Sequence, residues 1–407
     1  MIPQEVDILV IGAGPSGTMA AAMGNKEGLK VRIVEKSKFP RFVIGESLLA
    51  RCMDHFESSG VLKEIKNHGF QIKNGAVFFK NSERCEFDFS EQYTKGKKWT
   101  WQVPRDTFDK LIADKVESMG VQIDYETEVI DIKFNGTDSI TKVKNNKGLI
   151  SEIRAKFIID ASGYGRVIPR LFDLNTPSTL SNRETFFTHF IDENRPNNGD
   201  SNRIILISHN PNVWIWVIPF SNGNTSCGFV GDPEYFKKYS GTKSEIFNAL
   251  IINEPLLKER FLNAVKVFEP VKLSNYSIGV KQLYGEGYAL TGNATEFLDP
   301  IFSSGVTVAT ESGILSGRLA AKQLKGKEVD WNVEYSIPIL EGIEVFRTYI
   351  DAWYDGSLHK IFFAKKIDKK IKRQICSVLA GYVWDKSNPF VKRHKQSVQN
   401  LANFLSR

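Results

Sequence analysis

The sequence predicts an α/β fold in which a three-layer domain carries an inserted mixed β-sheet and is followed by carboxy-terminal helices. Residues 6–36 read as strand, glycine-rich turn, helix and strand, the opening of a parallel α/β sheet. Residues 75–90 and 177–277 alternate polar and apolar positions, or run apolar between Gly, Asn and Pro, which is typical of strands. From residue 331 onward, IEVFRTYIDAWY and IKRQICSVLAGYVW indicate helices.

The composition is that of a soluble globular protein. The chain has 407 residues, of which 42% are hydrophobic and 25% charged, and this length predicts two or three structural units. Four scattered cysteines without a CxxC pair, and six histidines without ligand spacing, indicate no metal site and no disulfide scaffold. The amino terminus lacks a basic leader, and polar residues interrupt the longest uncharged stretch. We therefore expect a cytoplasmic protein without a transmembrane helix.

The positive charge is concentrated at the carboxy terminus. Residues 357–407 hold twelve Lys and Arg against two acids, a local charge of +10, so the first 356 residues carry −3 of the total +7. A protein whose body is not basic does not resemble a nucleic-acid binder. The basic region could bind an acidic carrier protein or an anionic membrane surface, or it could be a solvated helical face.

The first strand, turn and helix carry a dinucleotide-binding fingerprint, Gly12-x-Gly14-x-x-Gly17. Gly12 permits the tight turn, Gly14 lets the backbone approach a pyrophosphate, and Gly17 lets the helix pack on the strand. The helix N-terminus offers free N–H groups to the phosphates, and Glu35 can accept hydrogen bonds from a ribose hydroxyl. The pattern predicts a Rossmann-type domain with nucleotide contacts from Gly12, Ala13, Gly14, Pro15, Ser16, Gly17, Glu35 and Lys36.

Two later strand ends narrow the choice between NAD and FAD. KFIIDASGYG and GYALTGNATEFLDPIFSSGV lie about 150 and 280 residues after the fingerprint, so a cofactor that touches all three must be long. The pattern resembles the FAD-binding domain of the para-hydroxybenzoate hydroxylase superfamily, which implies that the nucleotide is FAD, although Asn293 stands where that family usually has Asp. Arg105 precedes a helix with 3.6-residue periodicity and is expected at the cofactor, a solvated charge being the alternative. The other contacts expected are Val129, Ala161, Ser162, Gly163, Gly292, Asn293, Pro300, Ser304, Gly305 and Val306.

The segments divide into a discontinuous domain, an insertion and a tail. The expected FAD-binding domain comprises residues 1–74, 91–176 and 278–330. The expected substrate-binding β-sheet domain comprises residues 75–90 and 177–277, and residues 331–407 form the basic helical region. We expect the sheet domain to cover the reactive end of the flavin.

Four motifs together resemble the flavin-dependent halogenases. They are FPRFVIGESLL at 39–49, GFQIKNGAVF at 69–78, WIWVIP at 214–219 and FLDPIFSSGV at 297–306. WIWVIP is the most diagnostic of the four. The resemblance spans about residues 5–350 and implies that reduced FAD, O2 and halide yield hypohalous acid. It also places Glu46 and Ser47 at the cofactor. Because no second GxGxxG follows the first, a separate flavin reductase is expected to supply reduced FAD.

The resemblance implies three further roles. The N–H groups of Ser304 and Gly305 would bind the halide, unless they only cap a helix and meet the flavin. Lys73 would hydrogen-bond hypohalous acid or carry its halogen, since a desolvated lysine can be a neutral amine; a surface charge is the alternative. Trp214 and Trp216, on one side of a strand, would separate substrate from the flavin, or would simply pack in a sheet core.

Two departures narrow the expected substrate. Phe78, Phe79 and Lys80 stand where halogenases continue toward tryptophan and glycine, and Phe302 stands where tryptophan-specific halogenases carry glutamate. The phenol- and pyrrole-type branch, which often acts on carrier-bound substrates, therefore matches better than the tryptophan branch. Two alternatives remain: an FAD monooxygenase or geranylgeranyl-type reductase, and a catalytically silent flavin-binding protein that recognises a carrier domain.

Overall fold

A computed structural model describes residues 4–178, 181–274 and 278–406. The strands are β1 (Gln4–Ile11), β2 (Val31–Val34), β3 (Gln71–Lys73), β4 (Gly75–Lys80), β5 (Glu83–Asp88), β6 (Thr100–Gln102), β7 (Gln122–Asp124), β8 (Thr127–Asn135), β9 (Asp138–Asn145), β10 (Ile150–Asp160), β11 (Asn175–Pro177), β12 (Glu184–Ile191), β13 (Arg203–Asn210), β14 (Val213–Pro219), β15 (Asn224–Gly231), β16 (Val271–Ser274), β17 (Ile278–Val280), β18 (Tyr284–Gly285) and β19 (Tyr288–Leu290).

The helices are α1 (Pro15–Lys26), α2 (Arg51–Ser59), α3 (Leu62–His68), α4 (Arg105–Ser118), α5 (Val167–Leu171), α6 (Pro233–Phe236), α7 (Lys243–Ile252), α8 (Pro255–Phe261), α9 (Ser304–Leu324), α10 (Ile337–Tyr354), α11 (Ser357–Phe362), α12 (Lys369–Leu379), α13 (Pro389–Lys392) and α14 (His394–Leu405). A π-helical turn, Asn332–Ser336, precedes α10. None of the helices in the described part of the chain combines the length and the apolar character needed to cross a bilayer.

The first sheet is the predicted Rossmann-type layer. Its strand order is β18-β19-β10-β1-β2-β7, with β1 parallel to both β10 and β2. The apolar side chains of β1 serve two cores: Ile8 and Val10 pack with the helices, whereas Leu9 and Ile11 pack with the hairpin β8–β9. Helices, sheet and hairpin form three layers, and the predicted fold class is confirmed.

Glycines bring α9 against α1. A Cβ on Gly313 would lie 2.3 Å from the Ser16 carbonyl oxygen, and one on Gly317 would lie 2.4 Å from the Ala20 oxygen. Any larger residue at these two positions would push the helices apart, so the glycines hold the middle of α9 against the first turns of α1.

The second sheet is inserted and mixed. Its order is β16-β12-β15-β14-β13-β4-β5, antiparallel except where β13 runs parallel to β4. Helices α6, α7 and α8 cover one face, where they pack against Ile215 and Val217. Trp214 and Trp216 lie on the other face and join the main core, because successive residues of β14 alternate sides. Gly228 lies opposite Trp216, and its missing side chain leaves room for the indole.

The carboxy-terminal helices close the main core from the side. Trp353 of α10 and Phe362 of α11 pack against Phe78 of β4, and all three rings are buried. In α12, Lys369, Lys370 and Arg373 are exposed whereas residues 374–379 are all buried, so the first half of this helix presents its positive charge to solvent.

Candidate functional site

A cavity of about 480 Å³ lies between the two sheets. The Rossmann-type layer contributes the glycine turn, the end of β2 and the segments after β10 and β19. The inserted sheet contributes Trp214, Trp216 and Ile218 of β14, among others, and further parts of the wall come from residues 41–47, Arg105 and the start of α9. A site at the carboxyl ends of parallel strands is the usual ligand position in such sheets.

The glycine turn has the geometry of a phosphate cradle. Gly12 has φ +101°, and a Cβ there would lie 2.5 Å from the Ala161 carbonyl oxygen. A Cβ on Gly17 would lie 1.9 Å from the Gly12 carbonyl oxygen, so the helix can approach the turn only with glycine at this position. Gly14 is the N-cap residue of α1, and no side chain caps the helix there. The free N–H groups of the first turn and the positive end of the helix dipole therefore face the cavity.

Glu35 closes this end of the cavity. Its Oε2 accepts a hydrogen bond from the Ala13 N–H at 2.8 Å, and its Oε1 accepts one from the Ser37 N–H at 2.8 Å. The two bonds orient the carboxylate at the end of β2, where a ribose would lie. The Arg41 side chain approaches Gly14 and adds positive charge next to the phosphate cradle.

Arg105 orders the loop that forms the opposite wall. Its guanidinium donates to the Asp109 carboxylate at 2.7 and 2.9 Å, and to the carbonyl oxygens of Ile44 and Gly45 at 3.2 Å each. Burial alone would lower the Arg105 pKa, but the Asp109 charge raises it above its ordinary value. Arg105 is 7% exposed, so the solvated helix charge considered from the sequence does not occur.

Glu46, on the same loop, forms a buried pair with His189 of β12. Glu46 Oε1 and His189 Nε2 are 2.7 Å apart, whereas Glu46 Oε2 has no hydrogen-bond partner within the described ranges. His189 was not predicted, and no local pattern marks it, because its partner lies 143 residues away in sequence.

The positive end of α9 faces the cavity. Gly305 lines the wall, Ser304 is buried behind it, and Ser303 adopts φ +56° where the chain enters the helix. Asp299 accepts hydrogen bonds from the Ile301 N–H at 3.1 Å and from the Tyr354 hydroxyl at 2.7 Å. Burial raises the pKa of Asp299, and both bonds oppose that shift. The turn that precedes α9 is thereby tied to α10.

Both tryptophans line the cavity with their indoles held in place. Their ring centroids are 5.9 Å apart at 48°, and the residues are 1% and 4% exposed. Trp214 Nε1 donates to the Tyr354 hydroxyl at 3.0 Å, and Trp216 Nε1 donates to Ser226 Oγ at 3.0 Å. Since Tyr354 also bonds Asp299, one chain of hydrogen bonds joins the indole wall to the turn before α9.

Lys73 is buried rather than exposed. The residue is 1% exposed, its Nζ donates to the Leu48 carbonyl oxygen at 2.7 Å, and the Phe89 ring centroid lies 5.7 Å away. Burial lowers the pKa of the amine to about 7, which the nearby Cys52 opposes only weakly. Lys73 does not reach the cavity wall, but Leu48 directly follows Ser47, which does.

Known proteins resemble this chain in sequence and in structure. A family model described as FAD binding domain matches residues 5–249. The chain belongs to this FAD-binding domain family. The flavoprotein is similar to a 1H-pyrrole-2-carbonyl peptidyl-carrier protein chlorinase of Pseudomonas fluorescens, 28% identical over 94% of this chain and 91% of the relative.

Two solved structures extend the comparison. One, described as a flavoprotein/dehydrogenase from Cytophaga hutchinsonii, is 55% identical with a TM-score of 0.97 and covers 99% of both chains. The other, a triple mutant of a flavin-dependent brominase, is 26% identical with a TM-score of 0.83, over 97% of this chain and all of that one. The resemblance to flavin-dependent halogenases is confirmed, as are FAD as cofactor and the assignment as an FAD-dependent oxidoreductase.

Most residues predicted for the flavoprotein's site meet at this cavity. The predicted residues that line it are Gly12, Gly14, Pro15, Ser16, Glu35, Lys36, Glu46, Ser47, Arg105, Val129, Ala161, Ser162, Gly163, Trp214, Trp216, Gly292, Asn293, Pro300, Gly305 and Val306. Four others do not line it: Ala13, Gly17, Ser304 and Lys73. Ala13 acts through its N–H and Gly17 through its lack of a side chain, whereas Lys73 lies behind the wall.

Several lining residues were missed. Arg41, Phe42 and Ile44 belong to the FPRFVIGESLL motif, which the sequence analysis had already singled out. Their position just before Glu46 in that motif could have identified them. Tyr164 and Phe297 also line the cavity, and their rings pack against each other with centroids 5.4 Å apart. Within the described ranges, no group of three or more His, Cys, Asp or Glu could hold a metal ion.

Proposed function

We propose that the flavoprotein is a halogenase that uses reduced FAD, O2 and halide to halogenate an aromatic or polyene-like substrate. The observation that carries the proposal is the buried Lys73 amine, whose pKa is lowered to about 7 by burial, one residue behind the cavity wall. An amine that is neutral near pH 7 is nucleophilic and can accept an electrophilic halogen.

Bound FAD supplies the oxidising chemistry: once reduced, it yields hypohalous acid from O2 and halide. The chain's own residues bind and direct the reactants. The N–H groups of Ser304 and Gly305, at the positive end of a 21-residue helix, are the proposed halide donors. Lys73 either hydrogen-bonds the hypohalous acid or takes its halogen. In that transfer an N–halogen bond forms, the O–halogen bond breaks, and the released hydroxide leaves as water with a proton from nitrogen.

The indole wall separates the flavin from the substrate in this proposal. Trp214 and Trp216 are large, buried and individually hydrogen-bonded, so neither ring can rotate away without losing a bond. A substrate kept from the flavin cannot be hydroxylated there, and only the small hypohalous acid reaches it.

A carrier-tethered pyrrole- or phenol-type substrate is the proposed class, because the chlorinase relative acts on a carrier-bound pyrrole. The exposed charges of α12 would attract an acidic carrier protein. A separate flavin reductase would provide the reduced FAD. Turnover of a carrier-bound probe should then fall as salt is raised, whereas turnover of a free phenol should change little.

The test uses purified protein with FAD, a flavin reductase, NADH, O2 and bromide. Phenol, phloroglucinol and a pyrrole-2-carbonyl carrier-protein thioester serve as probes, and mass spectrometry identifies the products. We expect bromine to replace hydrogen in at least one probe. Addition of one oxygen instead would indicate direct monooxygenation, and no product from any probe would favour a silent flavin-binding protein.

Lys73→Ala separates the amine from the flavin chemistry. Bromination should be lost while oxidation of reduced FAD continues, and Lys66→Ala, which removes an exposed lysine of α3, is the matched control. Unchanged product in Lys73→Ala would remove the amine from the mechanism.

A flavin-dependent dehydrogenase or reductase is the second candidate, because the 55% identical structure is described as a flavoprotein/dehydrogenase. Such an enzyme would oxidise or reduce its substrate at the flavin without halide. Oxidation of NADH by the purified protein without added reductase would favour this candidate.

A further inference from the structure

One indole of the cavity wall is hydrogen-bonded to a tyrosine that does not itself line the cavity. Trp214 is 1% exposed and lines the cavity, and its Nε1–H donates to the Tyr354 hydroxyl at 3.0 Å. The neighbouring Trp216 also lines the cavity, but its Nε1–H donates to the Ser226 hydroxyl. Of the two indoles, Trp214 is therefore the one that is joined to a second oxidisable ring.

Tyr354 has a base for its proton. Its hydroxyl donates to Asp299 Oδ2 at 2.7 Å, while Asp299 Oδ1 accepts from the Ile301 N–H at 3.1 Å. A phenol that loses an electron becomes a strong acid, and here its proton can pass along an existing hydrogen bond. Burial raises the pKa of Asp299, so the ionised carboxylate is a stronger proton acceptor than an exposed one.

A cation on the tyrosine ring favours the same proton transfer. The Arg183 guanidinium lies over the Tyr354 ring, 3.9 Å from its centroid. A cation is attracted to the electron-rich face of a neutral ring and repelled by a positively charged ring. Since an oxidised tyrosine that kept its proton would be positively charged, Arg183 and Asp299 both favour the neutral tyrosyl radical.

The two rings lead from the cavity toward solvent. Trp214 is buried, whereas Tyr354 and the Arg183 that covers its ring are half-buried. Another tyrosine, Tyr164, lines the cavity directly, but in the described part of the chain no carboxylate accepts a hydrogen bond from its hydroxyl. The arrangement of indole, phenol and carboxylate is therefore specific to Trp214, Tyr354 and Asp299.

We propose that Trp214 and Tyr354 form an electron-transfer relay that carries an oxidising equivalent from the flavin cavity to the protein surface. In the first step, Trp214 loses one electron to oxidised FAD that has been excited by light. In the second step, one electron moves from Tyr354 to Trp214 and the Tyr354 proton moves to Asp299, so the indole is restored and a neutral tyrosyl radical remains. A one-electron donor in solution then reduces the radical, and Asp299 returns the proton.

The relay goes beyond halogenation and requires only bound FAD. It protects the cavity wall, because the oxidised indole is restored before it can react with O2 in the cavity. The residual radical is instead held at a half-buried ring, where soluble reductants can reach it.

The test is flash photolysis of the FAD-loaded protein without halide, flavin reductase or organic substrate. A blue laser pulse excites the oxidised flavin, and transient absorption distinguishes a tryptophanyl radical from a tyrosyl radical. In the wild type, we expect a tryptophanyl radical that is replaced by a tyrosyl radical. Because no turnover occurs, the result does not depend on whether the protein halogenates.

Conservative variants assign each step of the relay. Tyr354→Phe should lose the tyrosyl radical and keep the tryptophanyl radical, whereas Trp214→Phe should lose both. Trp216→Phe, on the same strand, and Tyr349→Phe, on the same helix, are the matched controls and should keep both radicals. A tyrosyl radical that persists in Tyr354→Phe, as Tyr164 would produce, would overturn the relay. Loss of both radicals in Trp216→Phe rather than in Trp214→Phe would also overturn it.

The proton step is tested with Asp299→Asn and with D2O. An amide does not take the tyrosine proton at neutral pH, so Asp299→Asn should form less tyrosyl radical and its tryptophanyl radical should live longer. In the wild type, the step from Tyr354 to Trp214 should be slower in D2O than in H2O, because the proton moves with the electron. Equal rates in the two solvents, or a wild-type yield in Asp299→Asn, would overturn the assignment of Asp299. The D2O measurement needs no variant, so it remains decisive if a variant does not fold.

Ascorbate tests the surface end of the relay. It should shorten the lifetime of the wild-type tyrosyl radical in proportion to its concentration, because it gives one electron to a half-buried ring. In Tyr354→Phe, the radical stays on the buried Trp214, and ascorbate should change its lifetime little. Equal shortening of both lifetimes would show that ascorbate reaches the cavity wall, and this result would overturn the route to the surface.

Discussion

Replacing Lys73 with Met should stabilise the flavoprotein while it abolishes halogenation. Met keeps the length and much of the volume of the lysine side chain, but it carries no charge into a site that is 1% exposed. Desolvation is the main reason that the Lys73 pKa is lowered, so burial of this amine destabilises the folded wild-type protein.

The magnitude follows from linkage. The pKa of Lys73 is about 7 in the folded protein and 10.5 in its ordinary state. Between these values the unfolded chain binds more protons than the folded protein, so stability rises with pH from about 7 to 10.5. The difference corresponds to about 5 kcal/mol of destabilisation below pH 7 and about 2 kcal/mol at pH 9. In Lys73→Met the Leu48 carbonyl loses its hydrogen-bond donor, which destabilises the fold by about 1 to 3 kcal/mol. The net increase in the free energy of unfolding is therefore about 2 to 4 kcal/mol at pH 6.5.

Thermal unfolding of both proteins at pH 6.5 and 9 is the assay. For a chain of 407 residues, the expected gain at pH 6.5 is about 2 to 5 °C, and it should nearly vanish at pH 9. Lys66→Met is the control and should show no pH-dependent difference from the wild type. A Lys73→Met protein that is less stable at both pH values, or whose difference does not change with pH, would refute the reasoning.

Gly17→Ala should lose FAD on gel filtration, because its Cβ would lie 1.9 Å from the Gly12 carbonyl oxygen; a normal flavin content would contradict the cradle. Gly228→Ala should lower the free energy of unfolding in urea by about 1 to 3 kcal/mol, since its Cβ would lie 2.3 Å from the Trp216 ring, and no loss would mean that the indole moves freely. Trp216→Ala should yield probe with one added oxygen beside brominated probe in mass spectra, and brominated product alone would argue against a separating wall. The amount of product formed per oxidised FAD should rise about tenfold from pH 6 to 8, in step with the neutral fraction of the Lys73 amine, whose pKa is about 7. Burial raises the pKa of the nearby Cys52 thiol, so this thiol stays uncharged and does not contribute to the change. A flat profile would exclude the neutral amine.

The features predicted well from the sequence are those set by short-range geometry. The spacing of Gly12, Gly14 and Gly17 sets a turn and a helix start within six residues, and at Gly12 and Gly17 a Cβ would lie 2.5 and 1.9 Å from backbone oxygens. Likewise, the alternation of a strand alone places Trp214 and Trp216 on one face, whatever the partner strands are. Both predictions needed only the period of the local backbone.

The features missed depend on pairing between distant segments. Thr100 and Gln102 lie in WTWQV, which reads as an unremarkable short strand, and only its pairing with β3 and with Ser47 brings their side chains to Lys73. The Glu46–His189 pair likewise joins a loop to a strand of the other sheet. Sequence spacing contains no information on such registers, so the resemblance could name Lys73 but not the residues around it.

Several buried polar groups that destabilise the fold lie at or behind the cavity wall, which indicates that this region is maintained for chemistry rather than for stability. The lysine has one hydrogen bond, and the neighbouring Ser47, Thr100 and Gln102 have buried polar atoms without partners in the described part of the chain. The buried Asp299 carboxyl, linked to Trp214 through Tyr354, has a raised pKa. Apolar residues at these positions would pack without any of these penalties. A fold that retains all of them next to a flavin cavity is less stable than one with apolar residues there, and strained or costly groups persist mainly where function requires them.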